Sequence, residues 1–152
     1  MIHFNTISLD EYFAYRKTKN HRPIKLPEPI VDRYIIPTNF VIGENWPNKS
    51  PLRCWYCSLH FESKPLFIPT NINKKDNKIK YITKGNFCSF ECIQEYVIEH
   101  DIKNVEEYIY ELYRTLINNG PLFRNPIKII HTKEYGGNED ISDFLKNLTY
   151  WN

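Results

Sequence analysis

Alanine and methionine are almost absent from the 152-residue chain, which has one of each, Ala14 and Met1, against 20 isoleucines and 16 asparagines. Isoleucine, asparagine, lysine and tyrosine have AT-rich codons, so the composition indicates an AT-rich genome and says nothing about activity. No stretch is apolar over the length needed to cross a bilayer. The first six residues contain no apolar run followed by a small-residue cleavage site, which argues against a signal peptide. We therefore expect an intracellular protein.

Enzyme motifs are missing as well. The chain contains no HExxH, GxSxG or P-loop sequence, which are the short motifs of zinc proteases, serine hydrolases and phosphate-binding enzymes. Asp140 and Asp143 fall on one face of a predicted helix, but an isolated acidic pair is usually solvated. The sequence therefore predicts a protein that is not an enzyme.

What the chain does have is four cysteines in two pairs. Cys54 and Cys57 enclose two residues, Cys88 and Cys92 enclose three, and thirty residues separate the pairs. Two such pairs can complete a tetrahedral shell of four sulfurs, the coordination that Zn²⁺ prefers in structural sites. A complete shell leaves no position for a catalytic water. We predict one structural zinc ion bound by all four cysteines.

Three other uses of the cysteines compete with zinc. Disulfides need an oxidising compartment. A thioredoxin-type redox pair would explain one CxxC, would leave Cys88 and Cys92 unexplained, and lacks a surrounding βαβ pattern. Buried, inert thiols do not require pairing. His60 and His100 follow the two cysteine pairs and could replace a ligand, although four thiolates already complete the shell.

Charge is divided unevenly along the chain. Residues 1–85 carry 14 Lys/Arg and 7 Asp/Glu, a net charge of +7, and residues 86–152 carry 6 and 11, a net charge of −5, which together give the overall +2. A basic and an acidic half indicate two surfaces with different partners, or two solvated faces without one. Hydrophobic residues make up 41%, enough for the core of a small single α+β domain.

Local patterns predict the elements of the first hundred residues. Residues 1–33 should form a short helix, opened by a capping box at Ser8 and Glu11, and then a basic, proline-containing arm. Beyond them we expect strands at 34–36 and 40–42, a CxxC knuckle, hairpin strands at 66–69 and 78–83 joined by a polar loop at 70–77, and a helix over about 89–100.

The order of knuckle, hairpin and helix is that of a treble-clef-like finger. A helix N-terminus presents free N–H groups and the positive end of its dipole, which favours nearby thiolates. Cys88 and Cys92 are four residues apart, so both side chains can point towards one ion. We expect Phe87 to pack beneath the cysteines, and Trp55 and Tyr56 to cover the metal or fill the core.

Residues 101–152 should form an acidic, helical C-terminal extension. A helix is predicted from an N-cap at Asn104 towards Asn118, a short strand at 127–130, and a last helix over 140–148. Helical periodicity predicts which side chains are buried: Val105, Ile109, Leu112 and Leu116 in the first helix, and Ile141, Phe144, Leu145 and Leu148 in the second.

The stretch from Phe87 to Cys92, reached from an upstream CxxC, resembles the FCS-type (MYM-like) zinc fingers. Over about residues 34–100 the chain is also similar to a family of nucleocytoplasmic large DNA viruses, related to the poxvirus late transcription factor with an FCS zinc finger. The matching residues are Trp46-Pro47, Cys54-Trp55-Tyr56-Cys57, Phe61, Pro65, Ile68-Pro69, Gly85-Asn86-Phe87-Cys88-Ser89 and Tyr96. The chain thus divides into residues 1–33, an FCS-type zinc-finger core at 34–100, and the extension at 101–152.

The resemblance implies a viral zinc protein of late gene expression, with Cys54, Cys57, Cys88 and Cys92 at the family's metal-ligand positions. It implies a location in the host cytoplasm or the viral factory, or packaging in the virion. Such proteins can also serve as virion components or as blockers of host signalling. A zinc-stabilised protein-interaction module without a nucleic-acid role is therefore the alternative function, and its acidic C-terminal half could dock on a viral transcription protein.

Two basic segments are candidates for contact with the phosphates of DNA, because lysine and arginine contact phosphates without reading sequence. The arm carries Arg16, Lys17, Lys19, Arg22 and Lys25. The predicted hairpin carries Lys74, Lys75, Lys78, Lys80 and Lys84, with only Asp76 among them. No recognition helix rich in Arg, Asn and Gln is evident, so strong base specificity is not expected. The sequence predicts neither a membrane nor a small-molecule partner.

Overall fold

Three antiparallel strands and three α-helices make up the part of the chain that the computed structural model describes, residues 34–117 and 128–152. The strands are β1 (Asn39–Val41), β2 (Leu66–Lys75) and β3 (Lys78–Phe87), and the helices are α1 (Phe90–Glu99), α2 (Glu106–Ile117) and α3 (Ile141–Lys146). The predicted α+β class is confirmed. The predicted N-terminal helix and basic arm lie outside the described residues. None of the described helices has the length and apolarity to span a membrane.

The hairpin is longer than its sequence suggests. β2 and β3 have ten residues each, and a two-residue turn joins them at Asp76 and Asn77, whose φ angles are 52° and 59°. Two left-handed residues form the type of tight turn whose twist matches that of the flanking strands, and Asp and Asn tolerate this conformation. The predicted loop at 70–77 is wrong, because pairing with β3 keeps residues 70–75 in the strand although Ile72 is their only apolar side chain.

The strand order is β1-β3-β2, with β3 in the centre. Tyr81 of β3 lies opposite Phe40 of β1 and Ile72 of β2, and both Tyr81 and Phe40 are buried. The predicted alternation in β3 is confirmed, with Lys78, Lys80 and Ile82 on the exposed face. We call this side, which β1 and β2 also share, the outer face of the sheet. The other side covers the core.

β1 lies close to the predicted strand at 40–42, but the predicted strand at 34–36 is wrong. Ile35 is 79% exposed, and residues 34–37 form no ladder. The carbonyl groups of Pro37 and Thr38 do accept hydrogen bonds from Thr83 of β3. Pro37 has no N–H group to continue the pairing towards the N-terminus.

α1 agrees with its prediction. Its N-cap is Ser89, and Phe90, Ile93 and Val97 are buried along one stripe. The N-cap predicted for α2 is wrong, because Asn104 has a left-handed φ of 61° rather than the extended conformation of an N-cap. The first helical hydrogen bond runs from Ile109 N–H to the Val105 carbonyl, 2.9 Å. Val105, Ile109 and Leu112 are buried as predicted, and Leu116 is half-buried.

The segment before α3 forms two 3₁₀ turns, Ile129–His131 and Lys133–Tyr135. The predicted strand at 127–130 is therefore wrong where the structure describes it, since the Thr132 hydroxyl and N–H both donate to the Ile129 carbonyl and close the turn. α3 buries Phe144, and Leu148 just beyond it is buried. Leu145 is exposed, contrary to prediction, because it follows Phe144 by one residue and is therefore rotated about 100° around the helix from that face.

Candidate metal centre

The four cysteine sulfurs converge on one point. All of them lie within 4.8 Å of one another, with 3.7 Å between the Sγ atoms of Cys57 and Cys88 and 3.5 Å between those of Cys88 and Cys92. Sulfurs in a tetrahedral shell with metal–sulfur bonds of ~2.3 Å lie ~3.8 Å apart, so this cluster fits a metal ion. A disulfide needs ~2.05 Å, and all four cysteines are free thiols. The cluster could hold one metal ion.

Backbone hydrogen bonds form the knuckle that presents Cys54 and Cys57. The Ser58 N–H donates to the Cys54 carbonyl, 3.0 Å, and the Cys54 N–H donates to the Leu59 carbonyl, 3.0 Å. Ser58 adopts a left-handed φ of 62°, which turns the chain sharply after the second cysteine. The two sulfurs of the pair therefore face the same side of a tight loop.

Asn86, at the end of β3, fastens the knuckle to the sheet. Its carbonyl accepts from the Trp55 N–H, 2.9 Å, and its Nδ2 donates to the carbonyl of Arg53, 3.0 Å. Asn86 is 1% exposed, so these bonds are shielded from water and are costly to break. The residues that carry Cys54 thus lie alongside β3.

The second pair sits where β3 passes into α1. Cys88 precedes the helix and Cys92 lies in its first turn, and the Ser89 hydroxyl accepts a hydrogen bond from the Cys92 N–H, 3.2 Å. This cap fixes the direction of the helix start, whose dipole favours negative charge. The predicted order of knuckle, hairpin and helix is confirmed, and so is the convergence of both pairs.

The cluster is closed to solvent. Each cysteine is at most 2% exposed, and Phe87 and Tyr56 beside them are buried, as predicted. Burial raises the pKa of Tyr150, in the C-terminal segment, to about 12, and electrostatic interaction with Cys88 and Cys92 adds to this rise. Among the described residues, the four sulfurs are therefore covered on the sides formed by Tyr56 and Phe87.

The four thiols do not ionise equally. Hydrogen bonds from Cys57, Cys88 and Cys92 lower the pKa of the Cys54 thiol, whereas hydrogen bonding with Cys54 and Cys57, together with burial, raises the pKa of Cys88. The same interactions raise the pKa of Cys92. A cation would supply the positive charge that four buried thiolates require, because metal binding displaces the thiol protons.

Neither candidate histidine joins the cluster. Among the described residues the metal-ligand group consists of cysteines alone. His60 is exposed, and His100 stacks on Tyr96 with its Nδ1 donating to the Tyr96 carbonyl, 3.0 Å. Four thiolates are thus the donor set that the fold provides.

The predicted phosphate-contacting lysines of the hairpin do not all lie together. Lys75 lies opposite Lys78 in the register, and Lys80 and Lys84 follow on the same side of β3, so these four share the outer face. Lys74 lies opposite Ile79 on the other side and forms an ion pair with Glu111 of α2, 3.0 Å. The candidates of the arm, Arg16, Lys17, Lys19, Arg22 and Lys25, lie outside the described residues.

Sequence reasoning missed two buried polar residues that support the site, Asn86 and Glu91. Both lie within or directly before the second cysteine motif and are at most 2% exposed. Glu91 accepts hydrogen bonds from Thr149, a residue far away in the chain. Glu91 could have been noticed in the sequence, because an acidic side chain stands there between two cysteines at an otherwise apolar start of a helix.

Comparison with known proteins finds relatives in African swine fever virus. The chain is 26% identical over 154 residues to uncharacterized protein B175L of isolate Tick/South Africa/Pretoriuskop Pr4/1996 and of strain Badajoz 1971 Vero-adapted. The protein of isolate Pig/Kenya/KEN-50/1950 is 25% identical. Each alignment covers 97% of this chain and 88% of the relative. No family model and no solved structure matches. The chain is therefore similar over almost its whole length to a viral protein, while the FCS type of its finger stays a prediction.

Proposed function

We propose that the protein is a non-enzymatic factor of late viral gene expression, stabilised by one Zn²⁺ ion and binding nucleic acid through the outer face of its sheet. The viral relatives support the viral setting, and the resemblance of the cysteine motif to FCS-type fingers supports the late role. The observation that carries the nucleic-acid contact is the row of lysines on one side of the hairpin.

Zinc suits the cysteine cluster for chemical reasons. A tetrahedral set of four thiolates is typical of zinc or of iron–sulfur centres, and a closed, buried site with a single central position is typical of structural zinc. The ion would join the knuckle to the start of α1. With all four positions taken by sulfur, it would have no site for an activated water, which supports a structural role.

The outer face carries more positive than negative charge. Lys75, Lys80 and Lys84 are exposed, and within the part of the chain described here they form no ion pair, whereas Lys78 pairs with Glu44, 3.0 Å. Asn71 and Asn73, exposed on the same face of β2, add hydrogen-bonding groups. Unpaired lysines on an extended surface can neutralise phosphates and release counterions.

The salt dependence of DNA binding tests this proposal. Binding of a labelled duplex should weaken as salt rises, with a slope of log affinity against log salt of about −0.9 for each phosphate contact. A triple variant, Lys75→Gln, Lys80→Gln and Lys84→Gln, should bind more weakly and with a slope that is shallower by about 0.9 for each phosphate that no longer meets a lysine.

The matched control is a second triple variant with the same change in net charge away from the sheet: Lys103→Gln, Lys133→Gln and Lys146→Gln, all exposed. It should keep both the affinity and the slope. Equal weakening by both triple variants would show that only net charge matters. Absence of binding by the unaltered protein in low salt would end the nucleic-acid proposal.

A protein-docking role is the second candidate, favoured by the exposed side of α2. Glu106 and Glu107 are exposed, and Tyr110 beside them is 43% exposed, an acidic and aromatic combination suited to a basic protein surface. Affinity purification from infected cells with and without nuclease separates the two candidates. Partners that survive nuclease treatment and are lost with Glu106→Gln and Glu107→Gln would favour docking.

A further inference from the structure

Three aromatic rings form a partly exposed ladder beside the cysteine cluster. Trp55 is 41% exposed, and its ring is tilted against that of Tyr96, with the centroids 6.0 Å apart and an interplanar angle of 52°. The Tyr96 ring stacks on His100 at 3.9 Å with an interplanar angle of 19°. We call these three residues the aromatic ladder. Fully buried Phe87 supports it from the core, 6.1 Å from Trp55 and 5.2 Å from Tyr96.

The ladder is held in place before any ligand arrives. The backbone N–H of Trp55 donates to the Asn86 carbonyl, 2.9 Å, and the indole ring lies directly against β3 at Gly85. A Cβ atom added at Gly85 would lie 3.2 Å from Trp55 Cε3 and 2.4 Å from Phe87 Cε2. Gly85 also has a φ of 89°, so the close approach of the indole depends on glycine there. Rings fixed in this way lose little freedom on binding.

Positive charge lies at the Trp55 end of the ladder. Arg53, two residues before Trp55, is exposed, and its guanidinium donates to the Ser58 carbonyl, 3.0 Å. Lys84 immediately precedes Gly85, but its side chain lies on the outer face with Lys78 and Lys80, so Arg53 is the cation nearest in sequence to the indole. At the His100 end the exposed neighbours are Glu99 and Asp101, and Asp101 is paired with Lys103. An anionic ligand is therefore favoured at the Trp55 end.

We propose that the aromatic ladder is a stacking platform for unpaired bases of single-stranded nucleic acid, with Arg53 at an adjoining phosphate. The inference rests on the proposed nucleic-acid function and specifies the form of nucleic acid. Every base has a π face, so stacking on aromatic side chains tolerates any sequence. Paired bases inside a duplex do not offer these faces, so the ladder distinguishes single strands from duplexes while the lysines of the outer face do not.

The test compares the affinities for a labelled single-stranded DNA of mixed sequence and for its duplex, in the full-length protein. Trp55→Leu should weaken binding of the single strand about tenfold, the effect of losing one base–aromatic stack, and leave duplex binding unchanged. Tyr135→Leu is the matched control, since Tyr135 is an exposed aromatic residue on another segment, 54% exposed. It should change neither affinity.

Trp55 also packs on the core, so His100→Ala is measured as a second variant, which removes an exposed ring together with its stacking on Tyr96 and its hydrogen bond to the Tyr96 carbonyl. It should weaken single-strand binding severalfold and leave the far-ultraviolet circular dichroism unchanged. No loss on single strands with His100→Ala and Trp55→Leu, or an equal loss on duplex, would overturn the platform and leave the outer-face lysines untouched. Absence of DNA binding by the unaltered protein would overturn both proposals. In the affinity purification, a protein partner that survives nuclease treatment but is lost with Trp55→Leu would show that this surface binds protein, which would also overturn the platform.

Discussion

Glu91 lies between the two cysteines of the second pair and is 2% exposed. Its carboxylate accepts hydrogen bonds from the Thr149 N–H, 2.7 Å, and from the Thr149 hydroxyl, 2.6 Å. The Thr149 carbonyl in turn accepts from the N–H of Phe90, 3.2 Å, one of the N–H groups at the start of α1 that have no acceptor within the helix itself. This single carboxylate thus ties the C-terminal segment to the helix start that carries Cys92.

Replacing Glu91 should cost more than its size suggests. Glu91→Ala leaves the N–H and hydroxyl of Thr149 without their acceptor, so we expect the free energy of unfolding to fall by about 1–3 kcal/mol. Urea denaturation measures this. Glu99→Ala, on the exposed side of the same helix, should stay within about 0.5 kcal/mol of the unaltered protein. Equal effects of the two substitutions would contradict the role of Glu91.

At the level of residues, the sequence predicts contacts between positions that are close together in the chain. The convergence of the cysteines follows from a tight knuckle and a helix start, both encoded within a few residues. The bond between Glu91 and Thr149 joins positions 58 apart, and no short pattern specifies such a pairing. The sequence groups Lys74 with the other hairpin lysines, because a loop predicted at 70–77 hides the alternation of a strand.

Among the elements, the hairpin shows why strand ends are hard to predict. Residues 70–75 are polar except for Ile72, which is half-buried on the core side opposite Tyr81. A single apolar residue in six gives too short an alternation to predict a strand. Hydrogen bonding to β3 keeps residues 70–75 extended. At residues 127–130 the error is the opposite one, a strand predicted where the structure has a turn. A short stretch with three isoleucines fits a strand or a turn equally well.

The left-handed conformation of the hairpin turn can be tested by introducing valine at two positions, one in the turn and one in the strand. Asn77 is left-handed, with a φ of 59°, and a β-branched residue is strained there, so Asn77→Val should lower the free energy of unfolding by about 1–2 kcal/mol. Asn73→Val, in the extended part of β2 opposite Lys80, should be neutral or stabilising, because valine favours strands. Thermal and urea denaturation compare the two variants. A tolerated Asn77→Val would contradict the two-residue turn.

Across the whole molecule, three distant segments meet at the cysteines. They are the knuckle, the start of α1 and the C-terminal residues, where Trp151 accepts through its carbonyl from the Lys64 N–H, 2.9 Å. Trp151 also contacts Phe40 of β1, with ring centroids 5.6 Å apart. A structural zinc ion contributes ~10–16 kcal/mol of apparent binding free energy in small fingers, comparable with the ~5–15 kcal/mol of total stability of a domain. We therefore expect the fold to depend on the metal.

Native mass spectrometry of the purified protein, read together with near-ultraviolet circular dichroism, tests this dependence most directly. We expect one zinc ion per chain, its loss in Cys88→Ser or after treatment with a strong chelator, and a simultaneous loss of the near-ultraviolet signal from the packed aromatic rings. A chain that carries no metal and still shows the native near-ultraviolet spectrum would contradict a metal-dependent fold.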